Sequence, residues 1–421
     1  MNVVYKIHCL KKYIFDKSFC VCLLLILTTF VPTPFVFPFF IERWYQMIAT
    51  ILISISFFLV SHYYTCKSNF LIRLLTFLLF FEAIRCILIS IIYNDVTGSN
   101  IMLVGLGIVL KYILYIMICI VVESDRKMFL NLLWKLLILM VVLSFPLFLL
   151  ILFNGIDVLP HLELYRYGFG NNCCQRLYCI GGSNAIINIS GFDIIRVAGF
   201  CDEPGAFALI LTNMLVLNEL TYKSNLYRII ILFAGLLTFS MAFIVTLLPI
   251  ILYWVVRKCK FIYIIILIVC LFILGNINTN SPAEYIVDKL IFNRFDYNDN
   301  GTISGDNRYI YSQEQKEIFW KYPWFGALAH KTVIDSFYYL EAPTIYSFIA
   351  QRGILGIFVV LPFVYVLVLY RKKFELLLFL SLFLNFFQRP GFTMLQITFI
   401  ILYYYIYMND KITQKYECHF L

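Results

Sequence analysis

Arg196, at the end of one polar segment, and Glu203, at the start of the apolar run that follows it, place a cation and a base close together in the chain. A guanidinium offers planar paired donors and keeps its charge, which suits it to hold an anion. A carboxylate at an apolar boundary is costly to bury and is a candidate for function, here as a proton acceptor. The same stretch allows a plainer arrangement, in which Pro204 occupies the first turn of a helix, Asp202 caps it and Arg196 anchors at lipid headgroups. A second polar segment carries Arg294, Arg308, His330 and Asp335, and Arg352 follows at the next apolar run. A lone loop histidine such as His330 is more often a surface hydrogen-bonding residue than a catalyst.

Metal chemistry has little to build on. Asp296-Tyr297-Asn298-Asp299-Asn300-Gly301 begins like a calcium loop, but its twelfth position is Asn307, where a bidentate Glu is needed, so a polar turn is expected. No Cys/His spacing matches a zinc site. Most of the 13 cysteines, such as Cys20, Cys22, Cys86, Cys119 and Cys270, fall in apolar runs where cysteine is a small hydrophobe. Cys173, Cys174 and Cys179 lie together in a polar segment and allow a local disulfide in an oxidising compartment.

The elements that must position these residues are apolar almost throughout. The chain has 421 residues, of which 62% are hydrophobic and only 14% charged, too little polar surface to coat a soluble globule of this size. The net charge of +9 is spread along short connections between apolar runs, which orients helices in a bilayer and gives no patch for nucleic acid. A span needs about 20 apolar residues. Runs approaching that length occupy 19–38, 44–62, 70–93, 101–122, 130–153, 197–220, 226–240, 241–256, 261–275, 343–369, 374–387 and 391–407. The stretch 226–256 is too long for one span and is expected to break near Ser240. Pro32, Pro34 and Pro38 stand where a signal sequence would carry its cleavage site, so the first run is expected to be an uncleaved span.

Lysine and arginine favour the cytoplasmic side of short loops. Lys67, Arg73, Arg126, Lys127, Lys223, Arg228, Arg257, Lys258, Lys260 and Arg371 to Lys373 fall on one side, against Arg43 and Arg389 on the other. The expected fold is therefore an all-α polytopic membrane protein of about 12 transmembrane helices, with both termini cytoplasmic and two large periplasmic loops, the second partly helical. Residues 1–153 hold helices one to five, 154–196 the first loop, 197–275 helices six to nine, 276–342 the second loop, and 343–421 helices ten to twelve and a cytoplasmic tail. No internal repeat is visible, which weighs against a carrier built from inverted halves.

Five short motifs follow this architecture in order: Arg196-x-x-Gly199-Phe200-x-x-Glu203-Pro204, Ser304-Gly305-x-x-Arg308, Pro323-x-Phe325-Gly326, Asp335-Ser336-x-Tyr338 and Gly353-x-x-Gly356. In sequence and topology the chain resembles the Wzy-type O-antigen and capsular polysaccharide repeat-unit polymerases, relatives of the O-antigen ligases. The likeness covers most of the chain by topology, and its motifs are short and degenerate.

That resemblance implies a membrane glycosyltransferase of the bacterial inner membrane that needs no cofactor or metal. It would transfer a glycan from undecaprenyl diphosphate to a sugar hydroxyl on a second lipid-linked repeat unit, with a flippase and a chain-length regulator of the same pathway as partners. Arg196 and Arg308, with Arg294 and Arg352 in reserve, would hold the diphosphate. Glu203 is the first choice of base, with His330 and Asp335 next, while Tyr309, Trp324, Tyr338 and Tyr339 would bind glycan; the aromatics also fit an interfacial belt. Two alternatives stand beside it: a ligase transferring the glycan to lipid A-core, to which His330 is the pointer, and a flippase or carrier using the intrahelical charges Glu82, Arg85, Lys111 and Lys135. Glu82 and Arg85 are spaced to pair with each other. A reporter fused after Asn300 should behave as periplasmic and one after Lys260 as cytoplasmic; the reverse at either site contradicts this topology.

Overall fold

Long runs of Leu, Ile and Phe fold as helices, and the helices of this chain stop where polar residues or turn formers interrupt those runs. A computed structural model describes residues 17–30, 43–61, 70–92, 98–121, 123–154, 161–165, 174–178, 183–189, 192–201, 203–258, 265, 309–327, 345–362, 364–365, 375–388, 398 and 400–401. The described residues are 90% helical. The helices are α1 (Lys17–Phe30), α2 (Arg43–Ser61), α3 (Phe70–Ile92), α4 (Gly98–Ile120), α5 (Glu123–Asn154), α6 (Pro204–Leu217), α7 (Asn225–Leu237), α8 (Met241–Lys258), α9 (Tyr309–Lys321), α10 (Ile345–Arg352) and α11 (Leu376–Gln388). Asp125–Ile151 and Pro204–Tyr222 are long and apolar enough to cross a membrane; Ser18–Phe30, Met47–Val60, Gly105–Ile120, Asn225–Leu237 and Met241–Arg257 are shorter apolar helices.

The first polar segment is not a plain loop between helices. It forms a four-stranded antiparallel sheet of β1 (His161–Tyr165), β2 (Cys174–Tyr178), β3 (Ser183–Ile189) and β4 (Phe192–Gly199) in sequential order. The β-branched pairs Ile186-Ile187 and Ile194-Ile195 face one another in register, Ile186 to Ile195 and Ile187 to Ile194, as a β-rich pleat requires. The register slips between Ser183 and Asn184, so that Ser183 pairs with Gly199 and Asn184 with Val197. Gly199 lies at the left-handed φ of 55°, and a Cβ there would come within 2.7 Å of the Phe207 ring. Only glycine fits that position.

All the helices but α9 contribute to one apolar core running from Val21 of α1 to Ile401. The helix α1 packs on α2 and α5, α3 on α4, α5 on α7, and α6 on α7, α8 and α11, while β4 rests against α5 and α6. Close approach of α3 and α4 depends on Gly105, where a Cβ would stand 3.0 Å from the Cys86 sulfur. The stretch 226–256 breaks as expected: α7 ends at Thr238, Phe239 takes a left-handed φ of 46° and α8 begins after Ser240. Gly235 is needed for the crossing, since a Cβ there would overlap the Phe243 ring.

Some polar residues inside the bundle pair across elements. Thr212 and Thr246 share a hydrogen bond of 2.8 Å, Ser381 donates to the Thr246 carbonyl at 2.5 Å and Thr398 donates to Asn213 Oδ1 at 2.9 Å. Such contacts join helices where water is absent. The outward faces are apolar instead. Phe77, Phe80, Ile84, Ile87 and Ile91 of α3, and Leu226, Ile229, Phe233 and Leu236 of α7, form exposed stripes at helical spacing. A helix apolar on both its inner and outer faces suits a core or a bilayer, and poorly suits an aqueous surface.

Candidate functional site

The end of β4, the start of α6 and the α7–α8 turn meet at one junction. Arg196 donates from Nε to the Thr238 carbonyl at 3.0 Å and from Nη2 to the Phe239 carbonyl at 3.2 Å. These two carbonyls end a helix and cross a left-handed residue, so they would otherwise lack intrahelical partners. Arg196 therefore clasps the sheet to the turn and holds its guanidinium there. Glu203 occupies the cap position of α6 with Pro204 as the first helical residue, and its side chain makes no capping hydrogen bond. The cap is thus Glu203, where the sequence pointed to Asp202; Asp202 itself lies outside the described residues. The Glu203 Oε1 curls over Gly205, 3.3 Å from where a Cβ would stand, and Ser240 Oγ approaches the same point at 4.0 Å. A cation and a half-buried carboxylate thus share one junction, at the helix end whose partial positive charge favours anions.

A second junction lies where the chain returns from the second polar segment. Glu82 and Arg85, on the buried face of α3, are each only 1% exposed. The expected pair is made: Arg85 donates from Nε and Nη2 to Glu82 Oε2 at 2.9 and 2.8 Å. Arg352, at the end of α10, donates to the other carboxylate oxygen at 3.1 Å and lies over the Phe348 ring. Arg85 Nη1 also donates to the carbonyls of Phe325 and, at 3.3 Å, Arg352. One carboxylate thus serves two arginines, and the carbonyl end of α10 meets the extra positive charge.

The backbone around this network is fitted to it. The Ala327 N–H donates to the Ala350 carbonyl at 2.8 Å, Ile354 to Pro323 at 2.8 Å and Leu355 to Trp324 at 3.1 Å. Gly326 and Gly353 both have left-handed φ, 73° and 66°. A Cβ at Gly326 would overlap the Arg352 backbone, one at Gly353 the Trp324 carbonyl, and one at Gly356 the Arg352 side chain. The glycines of the Pro-x-Phe-Gly and Gly-x-x-Gly motifs let two stretches of backbone touch. The helix α9 rests on α10, with Tyr322, Ala327, Ala350, Ile318 and Phe319 in a small apolar cluster and Lys316 over the Tyr346 ring at 4.7 Å.

Of the residues singled out from the sequence, Arg196 and Glu203 both lie beside the α7–α8 turn at the first junction, while Arg352 and Trp324 belong to the second. Trp324 is 60% exposed although its own carbonyl is held. Tyr309 begins α9. Arg294, Arg308, His330, Asp335, Tyr338 and Tyr339 lie outside the described residues, as do Cys173 and Cys179. Sequence reasoning treated Glu82 and Arg85 as a local pair and Arg352 as a phosphate ligand. The signal that joins them is chemical: an apolar helix carrying both charges needs partners for every donor.

Replacing Glu82 by Gln leaves two arginines buried without a carboxylate, a change of about 3–5 kcal/mol when a buried pair is broken. Thermal unfolding of the purified protein in detergent should therefore shift sharply down, and an unchanged midpoint would contradict the network. No family model, curated protein or solved structure matches the chain.

Proposed function

We propose that the chain joins lipid-linked oligosaccharide repeat units into O-antigen or capsular polysaccharide at the periplasmic face of the bacterial inner membrane, as a chain of about twelve membrane-crossing helices. The observation that carries this reading is the first junction, where Arg196 on the sheet built from the first polar segment and Glu203 at the head of an apolar helix both approach the α7–α8 turn. The exposed apolar stripes of α3 and α7 support the bilayer setting. Glu82 and Arg85, the charges that pointed to a carrier, are held in a buried network with Arg352, which favours the enzyme over the carrier.

The reaction balances with these residues. An acceptor sugar hydroxyl attacks the anomeric carbon of the donor glycan and the bond from that carbon to the diphosphate oxygen breaks. The hydroxyl proton passes to Glu203, and undecaprenyl diphosphate leaves. Diphosphate departs readily once its charge is met, so no general acid is required. Arg196 and Arg308 meet that charge, supplying the positive field that a metal brings elsewhere. His330 and Asp335 stand next in line as base.

Arginine acts here by shape as well as charge, since a lysine is a point charge without a bidentate fork. Arg308→Lys should therefore fail almost as badly as Arg308→Ala. Glu203→Gln keeps size and removes basicity, and should lose about a hundredfold or more in rate, the usual scale for a general base. The readout is the ladder of surface polysaccharide lengths in a polymerase-null strain complemented with each variant, with membrane levels of the protein checked by immunoblot. A normal ladder from Glu203→Gln removes it as base; normal ladders from Arg308→Lys and Arg308→Ala remove the diphosphate role of Arg308.

A further inference from the structure

We propose that Glu82 and Arg85 are positioning residues, which latch the Tyr322–Ala327 turn, and with it Trp324 and the end of α9, onto the helix bundle. Neutralising one another does not explain their arrangement. For that, an i,i+3 pair on a helix is sufficient, and Glu82 would need only one partner. Instead its two oxygens divide between Arg85 on its own helix and Arg352 at the end of α10. Arg85 in turn reaches past Glu82 to the backbone carbonyls of Phe325 and Arg352. The network therefore joins three pieces of chain far apart in sequence: α3, the end of α10 and the turn that closes α9.

Among the described residues, the turn is otherwise held by apolar packing and by backbone hydrogen bonds. Its apolar footing is the small cluster of Tyr322, Ala327 and Ala350, together with Phe325, which packs against the edge of the main core. Its other ties are the backbone bonds from Ala327, Ile354 and Leu355, which form only if the two strands of backbone approach closely. Gly326 and Gly353 permit that approach, and the charges of Arg85 and Arg352 draw the carbonyl-lined ends together. Charge-assisted bonds of this kind are about twice as strong as neutral ones, and inside an apolar bundle they have no water to compete with them.

The result is a particular contrast at Trp324. Its carbonyl is fixed by the Leu355 N–H, while its indole is 60% exposed. Trp320, one turn earlier on α9, is 75% exposed. Exposed indoles on a fixed backbone suit the faces of sugar rings, and the latch determines where those indoles stand. This consequence rests on the polymerase reading, whereas the latch itself rests on geometry alone.

The test uses the full-length chain in its membrane, with Ala327→Cys and Ala350→Cys introduced together. Both alanines are fully buried and belong to one cluster, so mild oxidation should join them, and mass spectrometry of the linked peptides measures the yield. In Arg85→Ala the yield should fall about tenfold or more, as the loss of one hydrogen bond to a charged group implies. The polysaccharide ladder should be lost with it and should return once oxidation drives the disulfide closed. Rescue by a covalent tie distinguishes positioning from a part in the chemistry.

Gly353→Ala reaches the same released state without touching the charges, because its Cβ would displace the Trp324 carbonyl. It should give the same fall in yield, and it carries the test if Arg85→Ala does not accumulate. Undiminished cross-linking in both variants would overturn the latch. Full cross-linking in Arg85→Ala without return of the ladder would overturn the positioning role. If cross-linking behaves as described but the otherwise unchanged chain makes no polymer, the latch stands and the polymerase reading fails.

Discussion

One carboxylate deep in the bundle, Glu82, balances two buried arginines, and much of the architecture follows from satisfying it. A charge in an apolar interior is tolerated only with partners for its donors and acceptors. Arg85 lies on the same helix, but its remaining donors require carbonyls, and the chain supplies them from the end of α10 and from the turn after α9. The need to satisfy a charge inside the bundle thus dictates where the turn after α9 comes to rest. The first junction obeys the same logic with neutral acceptors, since Arg196 satisfies the carbonyls exposed where α7 ends. In both places an arginine solves a backbone problem at a helix terminus and thereby fixes the chain that carries it.

Glycine completes what the charges begin. At Gly199, Gly326 and Gly353 the backbone is left-handed and a side chain would collide with a neighbour. These three motif glycines are accounted for by close contact between chain segments. The motifs are therefore read as devices that place functional residues as well as containing them.

The sequence made the apolar helices and the break at Thr238–Ser240 legible, because an apolar run too long for one helix with Thr238, Phe239 and Ser240 at its middle can hardly remain straight. It did not reveal the sheet. Strands of five to eight residues separated by Gly, Asn and Cys leave no long alternating pattern, and in a chain dominated by helix they read as loop. The Glu82–Arg85 pair was legible from its local spacing, whereas Arg352 lies 270 residues from Glu82 and no local pattern encodes such a contact. The cap of α6 moved by one residue, from Asp202 to Glu203, because Pro204 fills the first helical position. That shift puts the candidate base at the helix terminus itself.

The account of function turns on a single transfer: each new glycosidic bond releases one lipid diphosphate. The purified chain in liposomes, given an undecaprenyl-diphosphate-linked repeat unit as its sole sugar source, tests this directly. Polymer linkages and free undecaprenyl diphosphate are counted in the same sample. The account predicts equal numbers of the two, with polymer still attached to lipid at its reducing end. Release of lipid diphosphate without new linkages, or no release at all from a correctly inserted protein, would contradict it.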